Sequence, residues 1–208
     1  MTGAAGGPST RPGATVPLFP LRTVLFPGGV LPLRVFEQRY IDMTRACLRQ
    51  SRPFGVVMIS AGDEVATDRA PASFADVGTL ARIVSVDLHE SGVLHVAGEG
   101  LGRFRVLRHR VEKNRLVVAD VADLPAEPKV ALPADAAPLA RLLELMAARV
   151  DPHRFPSPPA FDDASWVGYR LAEFLPLPLP IKQTMLEVND ATVRLAALSK
   201  FLAQQRVI

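Results

Sequence analysis

The chain has 208 residues, enough to bury about 70% of the surface its unfolded form would expose, so it can build a core without disulfide or metal staples. Its composition, 49% hydrophobic and 22% charged, is that of an ordinary globular protein, and its net charge of +3 comes from interspersed basic and acidic residues, so the pI of 9.4 overstates any affinity for polyanions. A single cysteine, Cys47, excludes an internal disulfide and a cysteine-rich zinc site, and nowhere do about 18 apolar residues run together as a membrane span requires, so a cytoplasmic protein is expected.

Residues 1–14, MTGAAGGPSTRPGA, lack the basic start and apolar run of a signal peptide and read as a disordered leader. From 15 to 124 the apolar residues come in short runs or alternations: VPLFPL, VLFPGGVLPLRVF, FGVVMI, GTLARIVSVDL, VLHVAGEG, GRFRVLRHRV and RLVVADV. Those are strand signals and predict a meander or barrel. Pro27-Gly28-Gly29 reads as a turn between two strand pieces, with Phe26, Leu31, Leu33 and Phe36 as core. One helix interrupts the strands: Phe36, Tyr40, Met43 and Cys47 recur at helical spacing between Phe36 and Arg49, with Glu37 at its start able to pair with Arg34 or Arg39. Ala61 to Asp76 has no period and reads as a long loop. In TLARIVSVDL, alternation predicts a half-buried antiparallel strand, and Glu112 to Asn114 reads as a hairpin turn.

Composition shifts at Leu124, and 125–208 reads as a helical bundle. Leu139, Leu142, Leu143, Met146 and Val150 predict a helix stopped by Asp151-Pro152. Asp162 or Asp163 offers an N-cap for a helix through Val167, Leu171, Phe174 and Leu175. Ile181 to Val188 predicts a third, and Asp190 caps a fourth with Val193, Ala197, Leu198, Phe201 and Leu202 inward.

Signatures of chemistry are missing. No GxxxxGK[ST] phosphate loop occurs, and the glycines of GEGLGRF precede a strand instead of the helix a dinucleotide site needs, so a turn or bulge is expected there. The histidines at 89, 95, 109 and 153 lack metal-pair spacing, and the serines at 85, 91, 157 and 165 lack a GxSxG context. Cys47, on the apolar helix face, reads as a small buried hydrophobe. Arg103, Arg105, Arg108 and Arg110 form one basic stripe, read as a solvated strand edge, with RNA contact as the alternative. No cofactor is expected.

The segment PLFPLRTVLFPGGVLPLRVFEQRYIDM closely resembles the signature of the Lon N-terminal domain, the substrate-recognition domain that precedes the ATPase and protease parts of Lon proteases. The resemblance continues through FGVVMI, VGTLARIVSVDLHESGVLHVAGEGLGRFRVL and LPLPLPIKQTMLEVNDATVRLAALSKFL, and no Walker motif or serine-lysine protease segment follows. It implies an α+β fold, a PUA-like β pseudo-barrel with one packed helix followed by a C-terminal helical bundle, in a stand-alone Lon-domain protein. The implied function is non-catalytic binding of unfolded or exposed hydrophobic polypeptide, as an adaptor in quality control beside a separate protease or chaperone. The alternatives are an RNA-binding PUA-like protein and an ATP-independent hydrolase. Phe19, Arg22, Phe36 and Arg39 are the candidate polypeptide contacts.

Overall fold

Residues 13–62, 73–88, 93–151, 155 and 158–205 are described by a computed structural model. β1 (Ala14–Leu21) is the closing strand of a barrel, because its two halves pair with different neighbours. Its first half runs antiparallel to β7 (Val117–Asp123) and its second half parallel to β3 (Phe54–Ala61). From β3 the sheet continues antiparallel through β5 (Val77–Leu88) and β6 (Leu94–Val111) back to β7, so five strands close on themselves. β2 (Val30–Val35) pairs with residues 94–99 of β6, and the two-residue β4 (Ser73–Phe74) pairs with the end of β3.

The barrel interior is filled by Leu18, Val57, Leu80, Phe104 and Val121. Phe104 occupies space that two neighbouring residues leave vacant: a Cβ on Gly55 or on Gly78 would lie 2.7 Å from its ring. A second apolar cluster joins α1 (Gln38–Gln50), through Tyr40, Met43 and Cys47, to Phe19, Leu33, Val35 and Phe54. Burial there pushes the Cys47 thiol up to about 11, as expected of an inert core residue.

The helical part comprises α2 (Ala137–Ala147), α3 (Ala164–Phe174), α4 (Leu179–Glu187) and α5 (Ala191–Gln204). Asp163 caps α3 by accepting from the backbone N–H groups of Ser165 and Trp166, and Asp190 caps α5 by accepting from Thr192 and Val193. The bundle core includes Leu139, Leu143, Leu171 and Leu195 and extends to Phe26, Met58 and Val77 of the strand region. Barrel and bundle therefore share apolar contacts, and the α+β class with a helix packed on the barrel is what the structure holds.

Several local expectations are corrected. Val24 to Phe26 is buried irregular chain, not a strand: Leu25 O accepts from the buried Thr79 hydroxyl at 2.6 Å, and Phe26 O from Gly29 N–H. The helix begins at Gln38, which leaves Phe36 outside it and 58% exposed instead of in the core. Strand pairing carries on through GEGLGRF, so VLHVAGEG and GRFRVLRHRV form one strand, with a bulge where Leu101 and Gly102 face the single residue Leu80. The outer half of β5 is exposed on both faces, Leu88 by 67%, and lies beyond residues 79–81, the stretch that pairs with β3. Within the loop expected from Ala61 to Asp76, Ser73–Phe74 form β4, while 63–72 lie outside the described residues, as does the leader through residue 12. α2 ends at Ala147, short of Val150. Val193 points outward, 54% exposed, and Arg194 takes the inward position.

Candidate functional site

A cleft of about 500 Å³ opens between the exit of β1 and the strand β2. Phe19, Leu21 and Thr23 line one side, Leu31 to Val35 the other, and Phe36, Glu37 and Tyr40 close it at the start of α1. The alternation of β2 explains the lining: Leu33 and Val35 are buried, whereas Pro32 and Arg34 are exposed. Phe19 stacks on Tyr40 with ring centroids 4.0 Å apart and packs against Phe54, so one wall is a rigid aromatic ladder rooted in the core.

Of the four expected contact residues, Phe19 and Phe36 line this cleft, Phe19 as a buried wall and Phe36 as an exposed lip. Arg39 is held beside it: its guanidinium ion-pairs with Glu37 at 2.9 Å, donates to Arg115 O at 2.9 Å and lies 4.4 Å over the Tyr40 ring. Glu37 thus finds Arg39, not Arg34, and supplies no side-chain cap to α1. Arg22 is exposed, donates to Gly62 O at 2.7 Å and is not part of the cleft lining. Leu21, Leu31, Leu33 and Val35 also line the cleft, and their sequence context does not mark them as contacts. The signal for Leu31, Leu33 and Val35 is the apolar alternation of β2 and that for Leu21 the apolar run of β1, and both read equally as core.

The basic stripe does not survive folding as one surface. Arg103 is 4% exposed and points into the seam between barrel and bundle. Arg108 pairs with Asp120, and Arg110 lies 3.7 Å from Glu112. Hydrogen bonds from Thr15 and Arg108 hold the Asp120 carboxyl below its ordinary range. Of the four only Arg105 is exposed with no carboxylate partner among the described residues, and a single such cation offers little field to a polyanion.

The seam is instead organised around Glu127, from the proline-rich segment after β7. Its carboxylate accepts from both terminal nitrogens of Arg194, from Ser165 Oγ at 2.6 Å and from the Tyr169 hydroxyl, with Arg103 Nη2 3.6 Å away. Burial alone would raise this carboxyl, but the bonds from Arg194, Ser165 and Tyr169 outweigh it and hold it below the usual range. Arg194, fully buried, also donates to Met185 O and Val188 O and stacks over Tyr169, while Arg103 donates to Leu186 O and Val188 O. The hydroxyl of Ser165 is therefore engaged with a carboxylate. His95 and His109 are exposed, Ser85 is exposed on β5, and residues 89, 91, 153 and 157 lie outside the described residues. Among the described residues no cluster of three or more metal-ligating side chains occurs, and no helix is long and apolar enough to cross a membrane.

An apolar cleft beside a sheet edge, on a barrel braced by helices, has the form of a binding domain. The family comparison is specific about which one: the ATP-dependent protease La (LON) substrate-binding domain matches residues 15–204, and the chain belongs to that family. A Lon protease of Phenylobacterium zucineum is 32% identical over 212 residues, covering 97% of this chain and 26% of that protein. A Lon protease of Heliobacterium modesticaldum is 27% identical over 201 residues, 93% of this chain and 24% of the relative. The chain spans about a quarter of the length of these relatives. Among solved structures, a Lon N-terminal domain protein from Xanthomonas campestris superposes with a TM-score of 0.73 at 37% identity, over 90% of this chain and 98% of that one. The N-terminal domain of a Mycobacterium avium complex Lon protease shares the fold, with a TM-score of 0.60 at 19% identity over 91% and 98% of the two chains.

Proposed function

We propose that the chain is a non-catalytic recognition module that holds polypeptide segments exposing apolar side chains in the cleft between β1 and β2. In this reading it serves a separate protease or chaperone as a cytoplasmic adaptor. Membership of a substrate-binding family supplies the class of ligand. The observation that carries the choice of surface is Phe36, a large aromatic side chain left 58% exposed on the lip of a cleft lined mainly by apolar residues, with Thr23, Arg34 and Glu37 among them. Phe19 and Phe36 make the contacts, Arg39 positions Tyr40 and Glu37, and Arg22 contributes charge outside the cleft.

Burying an aromatic side chain fully contributes about 1.5–3 kcal/mol, and about 1.4 kcal/mol is tenfold in affinity. Fluorescence anisotropy with a dye-labelled, reduced and carboxymethylated polypeptide tests the reading. Phe36→Asp is expected to weaken binding about tenfold or more, while Val193→Asp on the exposed face of α5 leaves it unchanged. Absence of binding at tens of micromolar protein, or equal affinities for wild type and Phe36→Asp, overturns the proposal.

A further inference from the structure

The cleft has a backbone wall as well as side-chain walls, and its hydrogen-bonding pattern can be read from the register. β2 pairs antiparallel with β6 from Val30↔Glu99 to Val35↔Leu94, and no other strand among the described residues pairs with it. In the same register, one step earlier, Gly100 N–H donates to Gly29 O at 2.8 Å, so the carbonyl of residue 29 points at β6. Backbone groups alternate along an antiparallel strand, so residues 31, 33 and 35 bond to β6 and residues 30, 32 and 34 direct theirs away from it. Proline at 32 agrees, because a proline is tolerated in a strand only where its missing N–H would face outward. The free edge therefore presents three carbonyls, of Val30, Pro32 and Arg34, and two N–H groups, of Val30 and Arg34.

We propose that the occupant of the cleft lies as an added β-strand along this edge, an extended segment of apolar side chains at every second position with an acidic residue on its other face. The inference rests on the proposed function and specifies how that function is carried out. An extended backbone is the chemistry that complements a row of alternating acceptors and donors, and β2, six residues long, offers about 20 Å of it. Side chains on the inner face of the added strand meet Leu21, Phe19 and Tyr40, and those on the outer face meet Arg34. Arg34 is exposed and lines the cleft, and among the described residues it has no ion-pair partner, the nearby carboxylate of Glu37 being taken by Arg39. That unmatched cation selects an acidic side chain opposite it. Pro32 removes the central donor, which keeps the edge from recruiting strands indiscriminately and makes capture weak and reversible.

The test uses the full chain and a dye-labelled ten-residue peptide of alternating valine and threonine carrying one aspartate at a threonine position. A set of the same peptide is N-methylated at each successive residue. Strand addition predicts a period of two: methylation at alternate residues weakens binding about tenfold and methylation between them changes it less than about twofold. Pro32→Ala, which restores a donor, is expected to tighten binding, and Arg34→Glu to shift preference from the aspartate peptide to a lysine counterpart. A flat methylation profile, or failure of the peptide to compete with an unfolded polypeptide that itself binds in a Phe36-dependent way, overturns strand addition and leaves the cleft as the binding surface. Failure of the peptide and of unfolded polypeptide alike overturns both proposals.

Discussion

Replacing Glu127 by glutamine tests the claim that one carboxylate joins barrel to bundle. The substitution conserves shape but leaves two guanidinium groups without their counter-charge, Arg194 at 0% and Arg103 at 4% exposure. It also sets an amide against donors from Arg194, Ser165 and Tyr169 that all seek an acceptor. Removing one partner of a buried ion pair costs about 3–5 kcal/mol, because the other charge stays desolvated. For a chain of this size each kcal/mol lowers Tm by about 2–4 °C, so Glu127→Gln is expected to melt about 6–20 °C below wild type at pH 7. Circular dichroism at 222 nm reads it, with Arg194→Gln alone and in combination completing the cycle; the double variant should lose less than the sum of the two single changes. The same carboxylate gives wild type an acid limb. Its folded pKa lies below its unfolded one, so its stabilisation is complete above the unfolded value of about 4.3 and disappears as pH falls through the folded value. Glu127→Gln should lose that part of the pH dependence. A Tm within 2 °C of wild type, with strictly additive single effects, would refute the reasoning.

Other outcomes follow from the packing. Gly78→Ala would set a Cβ 2.4 Å from Val56 O and 2.7 Å from the Phe104 ring in the barrel centre; overpacking of this kind costs about 1–3 kcal/mol or more, and urea denaturation should show a lower midpoint. Cys47, with its thiol pushed up to about 11, should resist a disulfide reagent at pH 8 until the protein is unfolded; prompt labelling of the native protein would contradict its burial. Asp163→Ala removes an oxygen that accepts from the N–H groups of Ser165 and Trp166, and a loss of about 1 kcal/mol, roughly 2–4 °C in Tm, is expected by scanning calorimetry.

What could be read from the chain alone divides by range. The caps Asp163 and Asp190 act on groups two and three residues away, and the stripe of Tyr40, Met43 and Cys47 repeats within one helix, so both were visible as local pattern. The signature around Pro27-Gly28-Gly29 identified the family because its spacing is specific, although the physical work of that turn is long-range. Gly28 and Gly29 bond to Gly100, and Pro27 O accepts from Arg170 of α3. Glu127 reaches Arg194 across 67 positions of sequence, and nothing local distinguishes a buried arginine from a solvated one. One sign was present: Arg194 stands three residues after Ala191 and four before Leu198, an inward helical position. Phe36 and the outer half of β5 misled for the opposite reason. Their apolar side chains fit a core pattern, but α1 begins only at Gln38 and β3 pairs only with residues 79–81 of β5. For the candidate site, type and position point to Phe19 and Phe36, whereas the cleft they share depends on how β1 and β2 converge in space.

The most direct test of the account is a titration of the ¹⁵N-labelled chain with a carboxymethylated, unfolded polypeptide, followed by amide chemical shifts. Binding in the cleft predicts that the largest changes fall on residues 19–23 and 30–40, with the amides of Val30 and Arg34 among them and α2 and α5 undisturbed. Changes concentrated on the helical bundle, or on the Arg105 to Arg110 segment of β6, would contradict it.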